Sequence, residues 1–173
     1  MKRKTRKDKT VYPTVADILQ NNRNVTEGEG TGLHVGGRGK IEAALGRIEN
    51  EYYGKNLYPC LFSKASALLH SLVTTHPFDD GNKRTGIISC LHFLYINGLS
   101  DEHGISDEDI ADVVKKLSDN KLTQEELFQW LRNTFGKHVT GEAVSDGAIQ
   151  ELSDKTAKRH EKLIQILKDF DNE

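Results

Sequence analysis

The sequence is poor in the features that mark several protein classes. It has two cysteines in 173 residues, Cys60 and Cys90, far apart and without a paired spacing. That argues against a disulfide framework and against a zinc site. Both read as small core residues in a reducing cytosol, so a cytoplasmic location is expected. No apolar run reaches the length of a membrane span. The basic start has no apolar segment behind it, so it does not read as a secretory signal. Net charge is −2, so no global field argues for a nucleic-acid partner.

What is present fits one domain with tails. Hydrophobic residues make up 36% and charged residues 29%, enough for a core with some chain at its periphery. Residues 1–10 are rich in Lys and Arg, six of the ten. Such a stretch can touch nucleic acid or an anionic surface; we read it as a disordered start, or as the cut end of a longer parent. Residues 14–19 pattern as a short amphipathic helix. Residues 21–39 are rich in Asn, Gly and Glu and read as loop. Within them, Leu33-His34-Val35 lies between glycines. Its alternation suits a short edge strand, able to hold an extended peptide through main-chain hydrogen bonds, or equally a plain turn leading into a helix.

Residues 40–53 place Ile41, Ala44, Leu45, Ile48 and Tyr52 on one helical face, and Gly54 and Pro59 then break the chain. Residues 61–74 form a second helix, with Ala65, Leu68, Leu69 and Leu72 at helical spacing. A third runs over 87–96 and ends at Asn97-Gly98. Ser106-x-x-Asp109 opens another, and Thr123-x-x-Glu126 is a capping-box pattern ahead of Leu127, Trp130, Leu131 and Phe135. After an irregular stretch over 136–147, residues 151–170 carry Leu163, Ile164, Leu167 and Phe170 at helical spacing among dense charge. This last helix docks on the domain, pairs with another chain, or lies loose; the pattern leaves all three open. The expected organisation is therefore a basic segment over 1–30, a helical domain over 31–136, and a linker with a C-terminal amphipathic helix over 137–173. His70 and His92, on apolar helices, read as structural.

Between two of these helices lies His76-Pro77-Phe78-Asp79-Asp80-Gly81-Asn82-Lys83-Arg84-Thr85. The N-terminus of the following helix would aim unpaired backbone N–H groups at this loop, and its dipole favours negative charge there. Lys83 and Arg84 add full charges, making a ready anion site. His76 is a side chain able to take a proton near neutral pH. Asp80 offers hard oxygen to Mg²⁺, Gly81 lets backbone approach a ligand, and Arg84 can grip a phosphate bidentately. The bland alternative is a solvated inter-helix loop, but His, Asp, Gly, Asn and Arg in this order between two apolar helices weigh against it.

This string resembles the signature of the Fic/Doc (Fido) family, His-Pro-Phe-x-Asp/Glu-Gly-Asn-Gly-Arg-x-x-Arg. It matches at His76, Pro77, Phe78, Asp80, Gly81, Asn82 and Arg84. It departs at Lys83, where Fic members carry glycine, and at Ile87, where they carry a second arginine. Both departures are similar to the death-on-curing (Doc) branch, and the resemblance spans roughly residues 32–99.

The resemblance implies an all-α Fido bundle with at most a small β-hairpin as a flap, for which Leu33, His34 and Val35 are the candidate by position. It implies a nucleotide-dependent transferase acting on a Ser, Thr or Tyr hydroxyl of a protein substrate, with ATP and Mg²⁺. His76 would take the hydroxyl proton, Asp80 would hold Mg²⁺, Gly81, Asn82, Lys83 and Arg84 would form the anion hole, and Phe78 would fix the loop. With Ile87 in place of the second arginine, we favour a Doc-like toxin kinase that moves the γ-phosphate to a component of the translation machinery. Fic-type AMP transfer and a non-catalytic nucleotide-binding module are the alternatives. The chain contains no Ser/Thr-x-x-x-Glu-Gly/Asn string, so restraint is expected from a separate antitoxin.

Overall fold

A computed structural model describes residues 10–28 and 32–173. The basic start over 1–9 and residues 29–31 of the glycine-rich segment lie outside it. Eight α-helices carry the described fold: α1 (Val15–Val25), α2 (Gly37–Glu49), α3 (Leu61–Thr75), α4 (Asn82–Ile96), α5 (Asp107–Ser118), α6 (Gln124–Phe135), α7 (Asp146–Arg159) and α8 (Glu161–Asp171). The expected all-α class holds. The described β-structure comprises a two-stranded antiparallel hairpin, β1 (Glu51–Tyr52) and β2 (Lys55–Asn56), and two isolated bridges. No helix among the described residues is long and apolar enough to cross a membrane.

The bundle is built round α4. Every residue from Arg84 to Ile96 is buried, so α4 has no solvent face. A helix apolar on all sides is stable only when neighbours cover every side, and here α1, α3, α7 and α8 do so. Its closest neighbour is α3. A Cβ at Gly86 would lie 2.9 Å from Val73 Cγ2, so glycine lets the two helices meet at that point. α3 stops at His76, which adopts the left-handed conformation (φ 52°, ψ 65°), and Pro77 cannot extend a helix. α4 starts after Gly81, also left-handed. The motif is therefore a short bend between two buried helices, held by rigid scaffold at both ends.

α5 and α6 open on the expected caps: Ser106 accepts from the Asp109 N–H, and Thr123 with Glu126 forms a full capping box. Several sequence expectations need correction. The loop expected over 21–39 is largely helical at its edges, since α1 runs on to Val25 and α2 begins at Gly37. Asn21 and Asn22 favour turns locally, but their amides are buried and find partners across the bundle. Asn21 bonds Ser89 and Ser153, at 3.0 and 2.6 Å, and tertiary pairing overrides local preference.

The helix expected over 40–53 ends at Glu49. Tyr52 and Tyr53 belong to the hairpin and stand exposed at 51% and 105%, not on a core face. Gly54, left-handed at φ 76°, lets the chain turn back there. Cys60, expected in the core, is exposed and precedes α3, while Cys90 is fully buried. The single helix expected over 151–170 is two helices, α7 and α8, with a break at His160 (φ −112°, ψ 30°). Both dock on the bundle: Ile149, Leu163 and Leu167 are fully buried.

Candidate functional site

The loop between α3 and α4 is braced from within and from below. Asn82 spends its side chain on the loop itself. Its Oδ1 accepts the Phe78 N–H at 2.9 Å, and its Nδ2 donates to the Phe78 carbonyl at 2.8 Å. Phe78 is 3% exposed, so its ring anchors the loop in the core. From below, the end of α1 supports the loop. Asn22 Nδ2 donates to the Asp80 carbonyl at 3.3 Å and to Thr85 Oγ1 at 3.0 Å. Thr26 in turn donates to the Asn22 carbonyl at 2.8 Å.

Gly81 is required twice over. Its φ is +78°, and a Cβ there would lie 3.0 Å from Thr26 Cγ2. No side chain caps α4, so its first backbone N–H groups are left for an anion.

Arg84 is the buried cation beneath this helix end. It is 3% exposed. Nη1 donates to the Val25 carbonyl at 3.1 Å, and Nη2 lies 3.1 Å from both oxygens of Asp80. Its Nε–H is buried and has no hydrogen-bond partner among the described residues. A buried donor without an acceptor costs free energy that an incoming anion would recover. Lys83, one residue earlier, has its ammonium 2.6 Å from Asp171 Oδ1 at the end of α8.

His76 stands at the other side of the bend, exposed, and no hydrogen bond to its ring is seen among the described residues. Among the described residues, no hydrogen bond fixes the imidazole away from a ligand. Asp80 is half-exposed, with 56% of its side chain open, so its oxygens face solvent as well as Arg84. Mg²⁺ bound with phosphates needs only one or two carboxylates from protein. A single hard-oxygen donor beside the anion site fits that pattern.

The segment Leu33-His34-Val35 lies against the motif, not in the hairpin. Leu33 forms an isolated antiparallel bridge with Phe78. The His34 N–H donates to the Pro77 carbonyl at 3.0 Å, and the Asp79 N–H donates to the Gly32 carbonyl at 3.3 Å. His34 Nδ1 also meets Asp79 Oδ1 at 2.9 Å. One edge of this segment is thus taken by the motif loop. Val35 projects outward, 91% exposed.

The sequence-picked residues His76, Asp80, Gly81, Asn82, Lys83 and Arg84 thus meet in one bend, with Leu33 to Val35 beside them. One expectation about position changes. Asn82 turns its side chain into the loop, leaving its backbone N–H as the group directed outward from the helix end. Ile87, at the place where Fic members carry the second arginine, is 1% exposed and sits in the core. Four partners of the site were missed: Asn22, Thr26 and the Val25 carbonyl, which brace it, and Asp171, which pairs with Lys83. Asn22 could have been found from its place one turn after Ile18 on an α1 extended to Val25; nothing in the sequence marks Asp171.

A helix-bend-helix site of this kind, on a wholly buried central helix, defines a class. The chain belongs to the Fic/DOC family, whose family model matches residues 12–94. A protein described as Toxin Doc, from Mycolicibacterium smegmatis (strain ATCC 700084 / mc(2)155), is 44% identical to it over 90 residues, which is 52% of this chain and 67% of that protein. No solved structure matches the chain.

Proposed function

We propose that the chain is a Doc-like transferase that moves the γ-phosphate of ATP to a hydroxyl of a protein substrate. The observation that carries this reading is the pairing of an exposed imidazole, His76, with an uncapped helix end whose buried Arg84 keeps an unpartnered Nε–H. One side can take a proton; the other can hold phosphate. Transfer of a phosphoryl group asks the protein mainly for positioning and neutralisation of charge.

In this reading His76 accepts the proton of a Ser, Thr or Tyr hydroxyl as that oxygen bonds to the γ-phosphorus. The bond from the γ-phosphorus to the bridging oxygen breaks, and ADP leaves. The N–H groups of Gly81, Asn82 and Lys83, the Lys83 ammonium and Arg84 hold the phosphates. Asp80 would hold Mg²⁺, which when bound supplies neutralising charge to the phosphate oxygens. Leu33, His34 and Val35, tied to the loop at Pro77 and Asp79, form one wall of the acceptor's approach.

Position 87 supports the γ-phosphate as the group transferred. AMP-transferring members carry arginine there, and an apolar side chain in the core supplies no second phosphate clamp. The likeness to a protein named as a toxin supports a toxin role; a translation factor as target and a separate antitoxin as partner are what the family resemblance implies. The test is incubation of the folded protein and a bacterial lysate with γ-labelled or α-labelled ATP, followed by mass spectrometry of the labelled protein. Label from the γ-position alone is expected. Label from the α-position would assign AMP transfer instead, and label from neither would leave a binding module.

A further inference from the structure

α5 and α6 leave a surface groove between them, about 380 Å³ in volume. Ile105, Val113, Leu122 and Trp130 give it an apolar floor, and each packs on the core, so the floor is held in shape. The Trp130 indole stands edge-on to the Phe135 ring, with centroids 5.8 Å apart and planes at 85°. The wall on α5 is acidic. That helix carries Asp107, Glu108, Asp109 and Asp112. Asp107 meets His160 at 2.7 Å and Glu108 pairs with Lys162, so these two fasten α8. Asp109 and Asp112 line the groove instead, both exposed, and no ion pair to either carboxylate is seen among the described residues. Lys116 places a cation farther along the same wall. The lining shares no residue with the bend from His76 to Arg84, and it lies outside residues 12–94, the segment the family model matches.

We infer that this groove is a docking surface for an amphipathic helix of a partner protein, apolar on the face it buries and carrying two Arg or Lys side chains one turn apart. Charge complementarity selects this occupant. Asp109 and Asp112 are three residues apart, roughly 4.5 Å along the axis of α5. That is the spacing of cations at i and i+3 on a helix lying alongside. Two carboxylates at the rim of an apolar floor attract a basic segment and turn an acidic one away. The floor supplies the affinity, since its indole and aliphatic side chains leave water when a helix face covers them. A tryptophan at the centre of such a contact carries a large share of the binding energy. Lys116, four residues past Asp112, favours an acidic residue one turn beyond the basic pair and so sets the direction of the bound helix. The inference stands apart from the nucleotide reading, because groove and anion site share no residue.

Trp130 is the single tryptophan of the chain, so its emission reports on the groove directly. The test uses the full chain and a synthetic peptide of about 16 residues, long enough to form helix. The peptide has leucines along one face, two arginines one turn apart beside them, and neither tryptophan nor tyrosine. A counterpart carries glutamate in place of both arginines. The arginine peptide should shift the Trp130 emission saturably, with the same affinity by calorimetry. The glutamate peptide should bind at least about ten-fold more weakly. Asp109→Asn combined with Asp112→Asn should lower affinity for the arginine peptide by about ten-fold, the scale of two exposed ion pairs. Leu122→Asp should abolish binding, and circular dichroism confirms that each variant is folded. No shift with the arginine peptide would overturn the docking surface. Equal affinity for the two peptides, or an affinity unmoved by the paired Asp→Asn change, would overturn the basic helix as its occupant. Sedimentation velocity in which the wild type self-associates and Leu122→Asp does not would assign the groove to a second copy of this chain, and the partner proposal would fall.

Discussion

Asn82 holds Phe78 by both of its backbone groups, taking the N–H on Oδ1 at 2.9 Å and giving Nδ2–H to the carbonyl at 2.8 Å. One side chain thus closes the bend against the first turn of α4, and the distance from His76 to the helix end depends on it. Asn82→Ala should leave two partly buried backbone groups without partners and destabilise the fold by about 1–3 kcal/mol. Urea denaturation should show a lower midpoint with an unchanged slope. Asn82→Asp, which keeps the acceptor and loses the donor, should fall between. A midpoint equal to the wild type's in Asn82→Ala would mean that water replaces both bonds and that the bend needs no brace.

The backbone at His76 decides how its role is best tested. Its left-handed conformation (φ 52°) is costly for alanine but readily adopted by asparagine. His76→Asn should therefore keep the thermal midpoint and the affinity for ATP while lowering phosphoryl transfer by roughly two to four orders of magnitude, the range for a positioned base. Wild-type turnover in a folded His76→Asn protein would remove the general-base role. Loss of ATP binding would move His76 from proton transfer to nucleotide contact.

Much of this site was legible because its chemistry is contiguous. From His76 to Arg84 the functional residues follow one another along the chain, and the apolar periodicity of 61–74 and 87–96 places them between two helices. What was not legible comes from elsewhere in sequence. Asn22 supports the Asp80 carbonyl across a separation of 58 residues, and Lys83 meets Asp171 across 88. Neither Asn22 nor Asp171 carries a local signal of its partner. The asparagines of α1 read as loop because local propensity is all a sequence window offers, whereas their buried bonds to Ser89, Thr85 and Ser153 belong to the assembled bundle. The hairpin was hidden by the pattern of α2, where Tyr52 happens to continue the spacing of Ile41, Ala44, Leu45 and Ile48. The direction of a side chain was the other blind spot. The motif alone does not show which way position 87 points; from Arg84 onward α4 is covered on every side, and Ile87 meets core.

The burial of Ile87 carries its own prediction. Placing arginine there would not simply restore a second phosphate clamp, because a guanidinium at a position 1% exposed is cut off from solvent. Ile87→Arg should destabilise the protein by about 3–5 kcal/mol, as an uncompensated buried charge does. Ile87→Met, close in volume, should cost less than about 1.5 kcal/mol. Denaturation midpoints for the two variants check the contrast. A folded, stable Ile87→Arg protein would show that the first turns of α4 can open a path for that side chain to the anion site.

The last prediction concerns pH and the cluster that fastens α8. His103 Nδ1 accepts the Ile105 N–H at 2.9 Å, so that nitrogen is bare and Nε2–H donates to Tyr95 Oη at 3.0 Å. The Tyr95 hydroxyl then donates to His160 Nε2 at 2.8 Å, and His160 Nδ1–H donates to Asp107 at 2.7 Å. Burial pushes the Tyr95 phenol up to about 12, so it keeps its proton throughout. Burial also holds the His103 pKa below the ordinary histidine value, helped by its neighbours His160, His138 and Arg159, while Asp107 pulls the other way. A second proton on His103 would go to Nδ1 and displace the Ile105 bond. Because the folded-state pKa is the depressed one, the unfolded chain binds the proton more readily between the two values, so stability must fall as pH falls. The contribution is fully present above about 6.5 and declines as pH drops from there towards the folded-state value. Urea midpoints should therefore decrease between pH 7.5 and 5.5, and His103→Gln should flatten that decrease. His70 has its pKa lowered too, by burial and then by Arg47, and contributes with the same sign. A slope in His103→Gln equal to the wild type's would assign the acid response to His70 and its helix, leaving the Tyr95–His160–Asp107 chain with no part in it.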